Sequence, residues 1–168
     1  MRISIQRAVR TGKLPPARAL RGWASAALGR GAAGRELSVL LAGRARSRAL
    51  NARYRGRDSA TNVLSFPAPP SAAALSGLLG ELVICPAVLR AEARQQRKSE
   101  RAHWAHMVVH GVLHLAGYDH ERPDDARRME RREIQILRGF GIANPYHAIA
   151  VARDSRRRGQ ARRRAAAR

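Results

Sequence analysis

The stretch HMVVHGVLHLAGYDHERP, residues 106–123, constrains this chain more than any other segment. It reads as an apolar helix carrying histidines, closed by Gly117. In an α-helix each residue advances about 100°, so residues four apart lie about 40° apart around the axis. His110 and His114 therefore project from one face, one turn apart. Gly117 takes φ > 0 at little cost, which lets the chain turn and bring His120 back over the same face. Three neutral imidazoles with a fourth position open make a catalytic-type zinc site, with each nitrogen about 2.0–2.1 Å from the ion. His106 and His110 form a competing i, i+4 pair. His106 and His114 stand about 12 Å apart along the axis, so 106, 110 and 114 do not readily share one ion. His110, His114 and His120 are the set that uses the turn. His106 is left to a supporting position, the core or the surface, and His103 and His147 carry no assignment.

The residue after His110 narrows the chemistry. In H-E-x-x-H metallopeptidases that residue is the glutamate general base. Here it is Gly111, so peptide hydrolysis by that route lacks its base. A Lewis acid that lowers the pKa of water suits phosphodiester hydrolysis, provided a cation neutralises the charge building on phosphorus. One guanidinium can grip a phosphate with two parallel hydrogen bonds.

Arginine is plentiful. The chain has 168 residues with 33 basic and 12 acidic side chains, a net charge of +21. Only Lys13 and Lys98 are lysines. A surface this positive attracts polyanions, of which nucleic acid is the usual one. The segment RDSRRRGQARRRAAAR, Arg153–Arg168, contributes +7 of that charge and has almost no apolar residue other than alanine. It reads as a disordered tail, 151–168, behind a single folded domain, 1–150. Cys85 is the only cysteine, so no intrachain disulfide can form, which fits a reducing compartment. The start lacks the apolar core of a signal peptide, and no run approaches the roughly 20 apolar residues of a membrane span. The expectation is a soluble cytoplasmic protein.

Alternation predicts strands over 2–9, 36–42, 61–67 and 78–86. Helices are expected from Pro15 and Pro16 to Leu28, over RARSRALNARYRG to Gly56, from Pro86 to about Gln96, over 99–116, and from Asp124 or Asp125 to about Arg138. GRGAAG and APPSAAALSG read as loops. The expected class is α/β (α+β): one domain, with a central mixed sheet of about four strands and helices packed on it.

These segments resemble a known family. HGVLHLAGYDHE is similar to the H-G-x-L-H-L-x-G-Y-D-H signature of the YbeY family of bacterial endoribonucleases and rRNA maturation factors. LNARYRGRDSATNVLSFP resembles that family's N-x-x-Y-R-x-x-D-x-x-T-[DN]-V-L-S-F-P block, and GELVIC resembles its G-[DE]-[IL]-V-I segment. The matching stretches span roughly 36–140 in the same order and spacing. The resemblance implies one Zn²⁺ per chain on His110, His114 and His120. It also implies Arg55 facing the metal cleft and acting on RNA phosphate, so Arg55 and His114 are the expected catalytic residues.

The implied activity is a single-strand-specific zinc metalloendoribonuclease. It would act in late small-subunit (16S) rRNA 3′-end maturation and ribosome quality control. Its implied partners are rRNA, the small ribosomal subunit, and ribosomal proteins or an assembly GTPase; no membrane and no DNA are expected. A second reading is an rRNA-binding assembly factor with little intrinsic catalysis; a third is a metallopeptidase. RDSAT stands where KDKPT is commoner in the family, and the tail and much of 1–35 lie outside its pattern. Asp119 either orients a ligand imidazole or caps the turn. Thr61, Asn62 and Ser65 are candidates for the RNA groove, Glu81 for a buried or cleft position, and Cys85 for an inert buried thiol. Glu121 reads as surface.

Overall fold

The computed structural model describes residues 1–9 and 14–146. The Arg-rich tail and His147 lie outside the described residues. The elements are β1 (Arg2–Arg7), α1 (Ala17–Leu28), a 3₁₀ turn (Gly29–Ala32), β2 (Glu36–Leu41), α2 (Arg44–Arg55), β3 (Val63–Pro67), α3 (Pro70–Ser76), β4 (Leu78–Ile84), α4 (Pro86–Gln95), α5 (Glu100–Leu115) and α6 (Pro123–Arg138). The sheet order is β1-β2-β4-β3. β1, β2 and β4 are parallel, and β3 runs antiparallel to β4 along one edge. The α+β class with a four-stranded mixed sheet is as expected.

One expectation needs correction. APPSAAALSG is not all loop, because Pro70–Ser76 forms a short helix. Proline suits a first helical turn, alanine favours the helix, and Gly77 closes it in a left-handed conformation. None of its residues is buried. It therefore has no apolar stripe, and periodicity had nothing to detect.

Strand alternation divides the core in two. Leu37, Val39, Leu41, Val63, Leu82 and Ile84 pack with α1, α5 and α6 in the main core. Leu40, Ala42, Leu64 and Val83 point the other way and are covered in part by Leu50 of α2 and by Phe66. Helix α5 is therefore a core helix: Trp104, Ala105, Val108, Val109, Val112 and Leu113 are all buried. Ser99 starts it by accepting a hydrogen bond from the Ala102 N–H at 3.2 Å, with Glu100 in the first turn.

Gly111 is where α5 touches the sheet. A Cβ there would lie 2.8 Å from Leu82 Cδ2, 3.2 Å from Ser65 Oγ and 3.3 Å from Val63 Cγ2. The Ser65 hydroxyl also donates to the Gly111 carbonyl at 3.1 Å. So Gly111 is more than the residue that displaces a peptidase base; it sets the helix-to-sheet distance. Gly111→Val is expected to destabilise the fold by about 2–3 kcal/mol through overpacking, read as a lower urea midpoint at unchanged slope. An unchanged midpoint would contradict this close packing.

Candidate metal centre

The end of α5 builds the site. Gly117 sits at φ 87°. The Gly117 N–H donates to the His114 carbonyl, and the Tyr118 N–H to that of Leu113, both at 3.0 Å. This is a Schellman closure. It also turns the Tyr118 carbonyl back onto His114, whose Nδ1 lies 3.0 Å from it. A carbonyl can only accept, so His114 Nδ1 carries the proton. His110 Nδ1 lies 2.8 Å from Glu133 Oε1, and an ionised carboxylate also only accepts.

Those two contacts fix both tautomers. In each neutral ring Nε2 is then bare. The two Nε2 atoms stand 3.2 Å apart, and with both rings neutral they face each other lone pair against lone pair. Two nitrogens on one tetrahedral zinc would be about 3.3 Å apart given bond lengths near 2.05 Å. His120 completes the group: the ligand atoms of His110, His114 and His120 all lie within 4.8 Å of one another. Its ring is 4.8 Å from that of His114 and 5.6 Å from that of His110. The donors present therefore fit a metal ion.

Burial and electrostatics favour the neutral form of His114. Burial, then the neighbouring His110 and His120 charges, depress the His114 pKa to about 4, and the Arg55 guanidinium adds to this. Arg55, the last residue of α2, is exposed yet near enough to His114 for its charge to be felt. Its position follows from the local sequence. Asn51 Nδ2 donates to the Ser59 carbonyl at 2.8 Å, and Arg48 pairs with Asp58 through two 2.6 Å contacts. These tie down the turn after Gly56, itself left-handed at φ 66°.

Glu133 is the residue that sequence reasoning missed. It is fully buried on α6. Besides His110, it accepts from His106 Nε2 at 3.2 Å and from the Tyr146 hydroxyl. Burial pushes its carboxyl pKa up, but the hydrogen bonds and charges of His106 and His110 outweigh that and hold it down at about 2. A signal did exist. Met129, Glu133, Ile136 and Leu137 share the buried stripe of α6, and an acid at i+4 of such a stripe needs buried partners. His106, His110 and Glu133 form a second group with metal-holding spacing, but there each contact is satisfied by a proton.

The other candidates resolve individually. Asp119 Oδ1 accepts from the His120 N–H at 2.6 Å, so it caps the turn. Asn62 Nδ2 donates to Glu92 at 2.9 Å, and Glu92 also holds His103 at 2.8 Å. The Thr61 N–H donates to Ser47 Oγ at 3.0 Å. Asn62 and Ser65 thus hold elements together from within. Glu81 is partly buried and accepts from the Ser38 hydroxyl at 3.4 Å. Cys85 is buried and Glu121 exposed.

The metal-free protein should be acid-labile. Burial lowers the His106 pKa and, with neighbouring charges, that of His114. The unfolded chain then binds protons that the folded one refuses, so stability falls as pH drops from about 6.5 toward 4. Glu133 acts with the same sign: its contribution is present above an unfolded pKa of 4.5 and fades as pH falls toward about 2. The urea midpoint of the metal-free protein should decline steadily over this range; a flat profile would contradict the assignment of buried neutral rings.

An open mixed sheet whose core helix and glycine turn gather three imidazoles defines a class of α+β protein with a cluster that could hold a metal ion. The profile of the family described as Endoribonuclease YbeY matches residues 17–141. The chain belongs to that family. It is 54% identical over 137 residues to the endoribonuclease YbeY of Alkalilimnicola ehrlichii, covering 79% of this chain and 82% of that one. It is 50% identical over 147 residues to the protein of the same name from Methylococcus capsulatus, covering 88% and 96%. The fold is also similar to the solution structure of TM1509 from Thermotoga maritima, with a TM-score of 0.54 and 23% identity over 91% of this chain and 93% of that one. Among the described residues no helix is long and apolar enough to cross a membrane.

Proposed function

We propose that this protein is a zinc-dependent endoribonuclease that cleaves single-stranded rRNA in the cytoplasm, with the 3′ end of small-subunit (16S) rRNA as its target during ribosome maturation and quality control. The observation that carries the reading is the 3.2 Å approach of His110 Nε2 to His114 Nε2, with a ligand atom of His120 within 4.8 Å of both. His110, His114 and His120 would hold Zn²⁺. The ion would supply Lewis acidity at a phosphate oxygen and make water a better nucleophile near neutral pH.

The chain's own residues do the rest. Arg55 offers a planar, permanently charged fork for the phosphate and for the charge that builds on it during displacement. Helix α2 leads up to it with exposed Arg44, Arg46, Arg48 and Arg53. Tyr54, 56% exposed, presents its ring with Phe66 against its edge at 5.0 Å and the Arg53 guanidinium 5.3 Å from its centroid. An exposed aromatic held among cations is suited to stack an unpaired base. We assign 1–150 to the catalytic domain and 151–168 to a basic tail that adds salt-dependent RNA affinity. The small ribosomal subunit is the partner this reading requires.

The test is cleavage of single-stranded and duplex RNA by purified wild-type protein, with metal content measured on the same sample. Metal-dependent cutting of single strands is expected. Equal cutting by wild type and His114→Ala would expose a contaminating nuclease and favour an rRNA-binding assembly factor.

A further inference from the structure

We propose that Glu133 is a positioning residue for the metal centre: its buried carboxylate locks His110 as the Nδ1–H tautomer, turns Nε2 toward His114 and His120, and strengthens that nitrogen as a donor. The proposal rests on the metal-centre reading above and assigns the source of its affinity.

The geometry is specific. Glu133 is 0% exposed, and both its oxygens are occupied. Oε1 takes the His110 proton at 2.8 Å. Oε2 takes the Tyr146 hydroxyl and His106 Nε2, the latter at 3.2 Å. Without the carboxylate, His110 would be free to move its proton to Nε2 and lose the lone pair that faces His114. A carboxylate on the far nitrogen of a ligand histidine fixes both tautomer and ring orientation, and its loss typically lowers metal affinity 10–100-fold.

Tyr146 and His106 have a different part. They hold the carboxylate in place without touching the ligand nitrogens. The segment carrying Tyr146 is pinned by the Lys98 ammonium, which donates to the Pro145 carbonyl at 2.7 Å. The Asn144 side chain accepts from the Tyr146 N–H at 2.9 Å. Tyr146→Phe therefore removes one donor to Glu133 and leaves the His110 contact intact.

The experiment measures zinc affinity of the full chain by competition with a chromogenic chelator, for wild type, Glu133→Gln and Tyr146→Phe. Urea stability of each metal-free protein is measured beside it. Ring-nitrogen NMR of the metal-free wild type at about pH 8 reads the His110 tautomer directly. Expected are an Nδ1–H tautomer, a 10–100-fold weaker zinc affinity in Glu133→Gln, and a change within about threefold in Tyr146→Phe even where both variants lose stability. Zinc affinity in Glu133→Gln within threefold of wild type would overturn the proposal. So would an Nε2–H tautomer in the wild type, or equal affinity losses in the two variants, which would mark Glu133 as structural only. A wild type that binds no zinc while His110 keeps its Nδ1 proton would instead sink the metal-centre reading, and the positioning role with it.

Discussion

His114→Ala should abolish stoichiometric zinc binding and lower RNA cleavage by about 10³-fold or more, to the floor set by contaminants. His114 is central to the cluster. Its Nε2 is 3.2 Å from that of His110, and its ring is the one nearer to His120. Removing it leaves two imidazoles, one of them on an exposed loop, and too few donors for tight binding. The fold should survive, because the half-buried ring is not among the packed core residues. Unchanged far-ultraviolet circular dichroism with zinc content near zero is the expected pair of results. Full zinc content in the variant would show that the ion sits elsewhere.

Arg55→Ala should separate binding of the ion from use of it. Zinc should stay at about one per chain, while cleavage falls about 10²–10³-fold, the usual loss when one preorganised partner of transition-state charge is removed. The residue is exposed at the end of α2 and is not among the core residues. Arg55→Lys should recover only part of the activity, since an ammonium lacks the two-pronged fit to phosphate. Cleavage by Arg55→Ala at the wild-type rate would remove the guanidinium from the mechanism. Loss of zinc as well would mean that Arg55 supports the site's structure.

Much of this site could be read from the sequence because its parts are local. His110, His114, Gly117 and His120 fall within eleven residues, and helix geometry plus one glycine turn bring them together. Their proximity needs no knowledge of the rest of the fold. Glu133 and Tyr146 come from α6 and the segment beyond it, and only tertiary packing carries them to α5. Spacing rules cannot reach across that distance, although the acid within the α6 stripe was a clue. Asn62 and Ser65 show the same limit: their partners are Glu92 of α4 and the Gly111 carbonyl of α5, which local spacing does not reveal. Polar residues in and beside a strand look free for substrate until a helix is seen to occupy them. Helix α3 was lost because a helix that buries nothing leaves no pattern.

The way α5 ends has a consequence for the order in which the protein is completed. The turn at Gly117 is closed by backbone hydrogen bonds, and the apolar residues of α5 are packed into the main core. In small zinc modules the metal is what makes the chain fold; here backbone hydrogen bonds and buried apolar side chains shape the cradle of three imidazoles. On the zinc reading proposed above, folding and ion uptake are two separable stages, and metal supply would set how much of the folded protein is active.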